Sequence, residues 1–204
     1  MPQETYEKSR VAIDPVIFTI HQGKLKVLLH LREKEPFKNL KELPGGLLLS
    51  HETAEESLKR KLKELVGHNT IFFKQFYTFT DPSRDPRGRT VSIGFVTLLN
   101  EEKVKDVVQW HDIDSVKECA FDHKKIIHTA RTYLKEQIDP SIVKHFMPDV
   151  FPLNKLQEVY ELLEETTYDN RNFRKKMISS EIVQETEQSE QNVSHRPAKL
   201  FRMR

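Results

Sequence analysis

Every glycine of this chain lies at or before position 94. Gly23, Gly45, Gly46, Gly67, Gly88 and Gly94 punctuate the first half, and residues 95–204 contain none. Glycine is the default residue where the backbone needs a positive φ, so tight turns of that kind are not expected beyond position 94. There the chain is broken by Pro140, Pro148 and Pro152 instead. A uniform fold does not divide its turn chemistry this way, and 204 residues leave room for two domains. The boundary is expected at residue 120, giving units 1–120 and 121–204.

Composition removes several classes. The hydrophobic fraction of 37% suffices for packed cores, while 31% charged residues indicate a solvated surface. No run of 18 apolar residues exists, and the opening MPQETYEKSR lacks the apolar region of a signal peptide. The lone cysteine, Cys119, excludes an intramolecular disulfide and fits a reducing compartment. A cytoplasmic protein is expected, with no membrane partner. The formal net charge of +2 predicts no partner by itself, but charge is segregated near the C-terminus. Arg171, Arg174, Lys175 and Lys176 form a basic cluster. Glu181, Glu185, Glu187 and Glu190 follow, and then Arg196, Lys199, Arg202 and Arg204. Basic patches of this kind suit a polyanion.

Patterning gives an α+β chain. VAIDPVIFTI and KLKVLLHLR read as strands joined at His21-Gln22-Gly23. Pro15 suggests an edge position or a bulge in the first of them. Ala54, Leu58, Leu62 and Leu65 recur at helical spacing, and Gly67 marks a stop. Residues 71–80 and 90–99 read as strands flanking a loop rich in proline and arginine. In the second half, Asp122 can cap a helix through Gln137. Asn154 opens another to Glu165, and Asp169 caps a third over 170–180 whose Phe173 and Met177 face inward. IVQET and AKLFRM look like paired strands. Helix, short turn, helix and a two-stranded ribbon is the winged helix-turn-helix order. His123 reads as a helix-start residue, Trp110 as core and Cys119 as a buried small residue.

The stretch GLLLSHETAEESLKRKLKELVG, residues 46–67, resembles the Nudix box. That pattern is G, five residues, E, seven residues, then R-E-U-x-E-E-x-G-U, with U a large apolar residue. Gly46, Glu52, Arg60, Leu62, Glu64 and Gly67 match it. Lys61 and Leu65 stand where the family has paired glutamates, and His68 replaces the final apolar residue. In active members three helix carboxylates gather Mg²⁺ against a pyrophosphate. Mg²⁺ needs oxygen ligands, and two of the three are gone here. The resemblance therefore implies a Nudix-like α/β/α sandwich whose degenerate box (Glu52, Arg60, Lys61, Glu64, Leu65) supports no hydrolysis and holds no metal. Pro44-Gly45-Gly46 and the loop RDPRGR extend the likeness. Lys61, Glu64, Arg84, Arg87 and Arg89 are the expected ligand-binding residues, since forked arginine donors grip phosphates.

AFDHKKII, FPLNKLQEVYELL, DNRNFRKKMISS and RPAKLFRMR, in that order after a damaged box, resemble the Nudix-related transcriptional regulators. In that family a degenerate Nudix domain senses a metabolite and a winged helix binds operator DNA. The likeness implies a homodimeric repressor of NAD-cofactor metabolism genes, with ADP-ribose or a related nucleotide as effector and no required cofactor. Double-stranded operator DNA would meet Arg171, Asn172, Arg174, Lys175 and Lys176 on the recognition helix and Arg196, Lys199 and Arg202 on the wing. The acidic run 181–190 should repel DNA unless it turns away. His195 stands where the family has glycine before the wing's Arg-Pro, so a different wing tip is expected. Two rival readings remain: a hydrolase of ADP-ribose-type nucleotide diphosphates, and a pentose-responsive regulator of the same family.

Overall fold

A computed structural model describes residues 6–67, 72–100, 109–191 and 196–204. The expectations at His68, Ile71 and His195 lie outside these residues. In chain order the strands and helices are β1 (Arg10–His21), β2 (Lys24–Leu28), β3 (His30–Leu31), β4 (Lys41–Glu42), β5 (Gly46–Leu47), α1 (Ala54–Val66), β6 (Phe72–Phe79), β7 (Thr90–Leu98) and β8 (Trp110–Asp112). They continue with α2 (His123–Glu136), α3 (Pro140–Val143), β9 (Phe151–Pro152), α4 (Leu153–Glu164), α5 (Asn170–Ser179), β10 (Val183–Ser189) and β11 (Lys199–Met203).

The main sheet runs β6-β7-β1-β2-β8, with β5 also on β1. β1 and β7 are parallel, from Arg10 opposite Thr90 to Phe18 opposite Leu98, and the other pairings are antiparallel. β1 is thus central, which corrects the edge position expected from Pro15. The proline is tolerated for a local reason. On the side away from β7, Ala12 and Ile13 pair with β5 and Phe18–His21 pair with β2. Pro15 falls between these two ladders, where a missing N–H breaks no antiparallel bond.

Side-chain alternation along β1 builds two layers. Ile13 and Ile17 join Leu58, Leu62 and Val66 of α1, together with Phe95 and Leu99, in one cluster. Val16 and Phe18 face the other way and meet Ile126, Ile127, Ala130 and Leu134 of α2. That second cluster continues without a break through Val143, Phe151, Leu156, Tyr160, Phe173 and Met177 to Phe201. The apolar stripe of α2 therefore packs between the sheet and the C-terminal helices. Asp14 has the same parity as Val16 and lies on the α2 side. Its burial at 4% exposure is the starting point of the site described below.

Helix ends follow local chemistry. Thr53 and Glu56 form a capping box at the start of α1, and Gly67 closes it at φ 78°. Asp169 caps α5 through the Asn172 N–H at 2.9 Å. Asp122 occupies the N-cap position of α2 but makes no side-chain cap. Arg84 takes its carboxylate instead. α4 begins at Leu153 after Pro152, one residue before the expected Asn154. The C-terminal strands form a three-stranded sheet, β10-β11-β9. Helix–turn–helix α4–α5 followed by the β10–β11 pair, with β9 joining from before α4, is a winged helix. Among the described residues no helix is long and apolar enough to cross a membrane.

The approach to β5 depends on Gly45. A Cβ at this position would lie 2.3 Å from the Ile13 carbonyl oxygen and 2.4 Å from an Asp14 carboxylate oxygen. Neither backbone nor a buried carboxylate can give way cheaply. Gly45→Ala should cost about 1–3 kcal/mol, the usual range for overpacking. Urea unfolding of the variant checks this, and an unchanged midpoint would show that the β4–β5 loop relaxes freely.

Candidate functional site

The cleft starts from a charge in an apolar strand. Asp14 is buried in β1, and an isolated carboxylate there would be costly. Three elements supply partners. Ser92 of β7 donates to Asp14 at 2.6 Å, and Arg84 from the β6–β7 loop donates at 2.9 Å. His123, opening α2, places Nε2 3.5 Å from the carboxylate. Gly45 leaves space for the chain to pass. Arg84 also holds Asp122 through two bonds of 2.7 and 3.0 Å. Burial works against the charge on Arg84, yet Asp122 and Asp14 raise its pKa above the ordinary value.

His123 accepts the Leu43 N–H at Nδ1, 2.9 Å away. A ring nitrogen that accepts carries no proton, so the imidazole is neutral with its hydrogen on Nε2, toward Asp14. Burial, only partly countered by the nearby acids, lowers its pKa and keeps it so at neutral pH. The expectation of a packed helix-start residue was incomplete. His123 also lines the cleft.

Around this base lies a cavity of about 180 Å³. Arg32, Glu42, Gly46, Asp85, Arg87 and Phe121 complete its wall. An adjoining space of about 320 Å³ shares Arg84 and Phe121 and adds Phe37 and Lys125. Phe121 carries the guanidinium carbons of Arg32 and Arg87 at 4.8 and 5.0 Å from its ring centre, and Phe37 meets it edge-on at 5.0 Å. Burial opposes ionisation of Asp85, but bonds from Arg87 and the charge of Arg10 hold its carboxyl down at about 2. An aromatic plane with flanking guanidinium groups and a buried acid suits a flat heterocycle joined to an anionic group.

The expected ligand residues divide. Arg84 and Arg87 line the cleft, though each already holds carboxylates. Arg89 donates to the Thr80 carbonyl at 2.7 Å and lies outside the lining residues. Lys61 sits beside Gly46, with its Cε 3.7 Å from where a Cβ would stand, and pairs with Glu64 at 3.7 Å. Leu65 packs against the α1 cluster. Glu52 and Arg60 form a forked pair at 2.7 and 3.0 Å. Arg60, with the Leu49 N–H, holds the Glu52 carboxyl at about 2. This pair ties the loop before α1 to the helix. Among the described residues no group of three His, Cys, Asp or Glu side chains is placed to hold a metal ion.

Sequence reasoning missed Asp14, Arg32, Asp85 and Phe121. Asp14 had a signal, since it is the one acid inside an otherwise apolar strand. Phe121 adopts a φ of 53°, a conformation bulky residues rarely take and no composition rule reveals.

In the C-terminal part of the chain, α5 has ten residues and buries only Phe173 and Met177. Arg171, Asn172, Arg174, Lys175 and Lys176 are all exposed. No ion pair engages their side chains among the described residues. Arg174 rests over the ring of Phe201 in β11, 5.5 Å from its centre. On the wing, Arg196 and Arg202 are exposed, while Lys199 pairs with Glu185 at 3.3 Å. Glu181 pairs with Arg204 at 2.9 Å, and Glu190 accepts the Ala198 N–H at 3.0 Å. The acidic run is thus partly neutralised within its own hairpin. Cys119 is half-buried, and Trp110 packs partly buried against the α1 cluster.

Comparison with known proteins finds relatives of both halves of the chain. Residues 10–141 match the NUDIX domain model, and residues 143–203 match the NrtR DNA-binding winged helix domain. The chain is 30% identical over 97% of its length to an ADPR-responsive transcriptional repressor, NtrR, of Acinetobacter baylyi, covering 83% of that protein. It superposes on Shewanella oneidensis NrtR complexed with a 27mer DNA at a TM-score of 0.84, with 28% identity over 95% of this chain and 93% of that one. The NUDIX domain of the same Shewanella protein, complexed with ADP ribose, matches at 0.56 with 33% identity over 63% of this chain and 90% of that one. An ADP-ribose pyrophosphatase of Methanocaldococcus jannaschii is 35% identical over 60% of this chain and 73% of its own length.

The Glu52 carboxyl gives a pH prediction. Its folded pKa lies below the ordinary 4.5. Its contribution to stability is therefore fully present above about pH 4.5 and lost as pH falls toward 2. Glu52→Gln should flatten the decline of stability with acid across that window and leave the slope above pH 5 unchanged. Denaturant unfolding at a series of pH values reads this directly, and parallel curves for the two proteins would refute the pairing as a stabilising element.

Proposed function

Since this chain belongs to the Nudix family, and within it to the NrtR-type regulators, we propose that it is a transcriptional repressor that binds operator DNA through α5 and senses ADP-ribose in the cleft over Asp14. The observation that carries this reading is α5 itself. It is a basic helix held by two buried side chains, with its cationic residues exposed beside a wing. Asn172 and the arginines suit base edges, and Lys175 and Lys176 suit phosphates. Arg202 is the stronger wing candidate over Lys199, which already pairs with Glu185, and Arg196 is a further exposed candidate.

The effector is proposed to lie against Phe121, with its anionic part toward Arg87 and Arg32 and with Lys61 and Glu64 near the mouth. Lys61 and Leu65 in place of two carboxylates support a binding role without hydrolysis. The protein is proposed to act as a homodimer in the cytoplasm, on genes of NAD-cofactor metabolism.

α2 supports a route between the two sites. Its first residues, Asp122 and His123, belong to the cleft. Further along, Arg131 and Lys135 hold Glu165, at the end of α4, at 3.1 and 2.6 Å. Arg131 also holds Asp114 at 2.6 Å. The effector-binding unit is proposed to give way to the DNA-binding unit near residue 120, with α2 as the connector that both share. A ligand that moves Phe121 or Arg84 then acts on the helix that seats the DNA-binding half. Each ligand must change the other's affinity by the same factor.

Two experiments test the reading. Calorimetry should give binding of ADP-ribose and none of arabinose or xylose. It should give the same affinity ratio with and without operator as DNA titrations give with and without ADP-ribose. Silence with ADP-ribose and heat with a pentose would favour the sugar-responsive alternative. Metal-dependent turnover of ADP-ribose, lost in Glu64→Ala, would favour the hydrolase. For DNA, Arg171→Ala and Arg174→Ala together should cost about 2–6 kcal/mol on the gene's upstream region, from about 1–3 per base contact. Unchanged binding would sink the α5 assignment.

A further inference from the structure

We propose that Ile178 reads a thymine in each operator half-site by contact with its C5-methyl group, an inference that rests on the DNA-binding reading of α5. Ile178 is 45% exposed, although α5 has buried space on its other side for Phe173 and Met177. It stands at i+7 from Arg171, with Arg174 and Lys175 at i+3 and i+4, so all four share one face of the helix. This is the spacing with which a homeodomain recognition helix places its base-reading residues. Seven residues rise about 10.5 Å, enough to follow about three base pairs.

The face is polar and cationic except at Ile178. α5 contains no acidic residue. An apolar side chain amid arginines and lysines fits a surface that is anionic overall and apolar at one point. The major groove offers that combination at thymine, whose methyl is the apolar group on an edge otherwise made of donors and acceptors. Arg174, resting on Phe201, stands one turn before Ile178 on the same face.

The test starts from a random-sequence duplex library enriched with the wild-type protein. Thymines of the enriched duplex are then replaced one symmetric pair at a time by uracil, which removes only the methyl group. One pair should weaken wild-type binding about fourfold per half-site, the worth of one buried methyl. Ile178→Ala should weaken binding to the thymine duplex and show no further loss with uracil at that pair. Arg171→Ala should keep the uracil effect while losing affinity elsewhere. Equal sensitivity of wild type and Ile178→Ala to every uracil pair would overturn the assignment while leaving DNA binding intact. So would a changed sedimentation of DNA-free Ile178→Ala together with unaltered DNA affinity, which would make Ile178 a contact between copies. No enrichment from the library at all would overturn the DNA reading and this assignment together.

Discussion

The cluster of buried Asp14, Arg84 and His123 with partly buried Asp122 holds the molecule's working parts in one frame. It joins the central strand, the β6–β7 loop and the first residues of α2 through bonds of 2.7 to 3.0 Å, with His123 closing it 3.5 Å from Asp14. Such a network cannot be altered one residue at a time. Removing one charge leaves its partners buried and uncompensated, which costs more than the pair contributes. Asp122 shows the same priority locally. It leaves the first N–H groups of α2 without a side-chain cap and accepts Arg84 instead. A cap would stabilise one helix end, whereas this bond ties the helix to the sheet.

The loop and helix beside this cleft are held by contacts of their own. The Glu52–Arg60 pair and the closing Gly67 keep α1 and its entry loop in place. Leu65 has turned its position into packing, and Lys61 has placed a cation beside Gly46. The wall now offers guanidinium groups and an aromatic plane.

From the cleft outward, α2 is the mechanical link. Its apolar stripe packs between the sheet and α4, and its last turns hold the C-terminal end of α4 by Arg131 and Lys135. Helix α5 begins a few residues later. One continuous apolar cluster runs from Val16 to Phe201. Displacement at the cleft therefore meets close-packed side chains, which transmit strain instead of absorbing it.

Much of this was legible in the residues alone. Helix periodicity, the Gly67 stop, the Asp169 cap and the inward pair Phe173 and Met177 follow from spacing, because they are local. The likeness to the Nudix box followed from a fixed pattern, and the glycine break pointed to two units. Spacing could not show that Pro15 sits in a gap between two ladders, or that Asp122 forgoes its cap. Nor could it show that Glu185 takes Lys199 from the wing's basic set. It also could not assemble Asp14, Arg32, Asp85, Phe121 and His123 into one cleft, since they come from distant parts of the chain. The sequence by itself determined which elements form and that Lys61 and Leu65 stand at two positions of the box. Only the tertiary structure decided which charges are already satisfied internally and which remain available to a ligand, because that depends on neighbours brought together by folding.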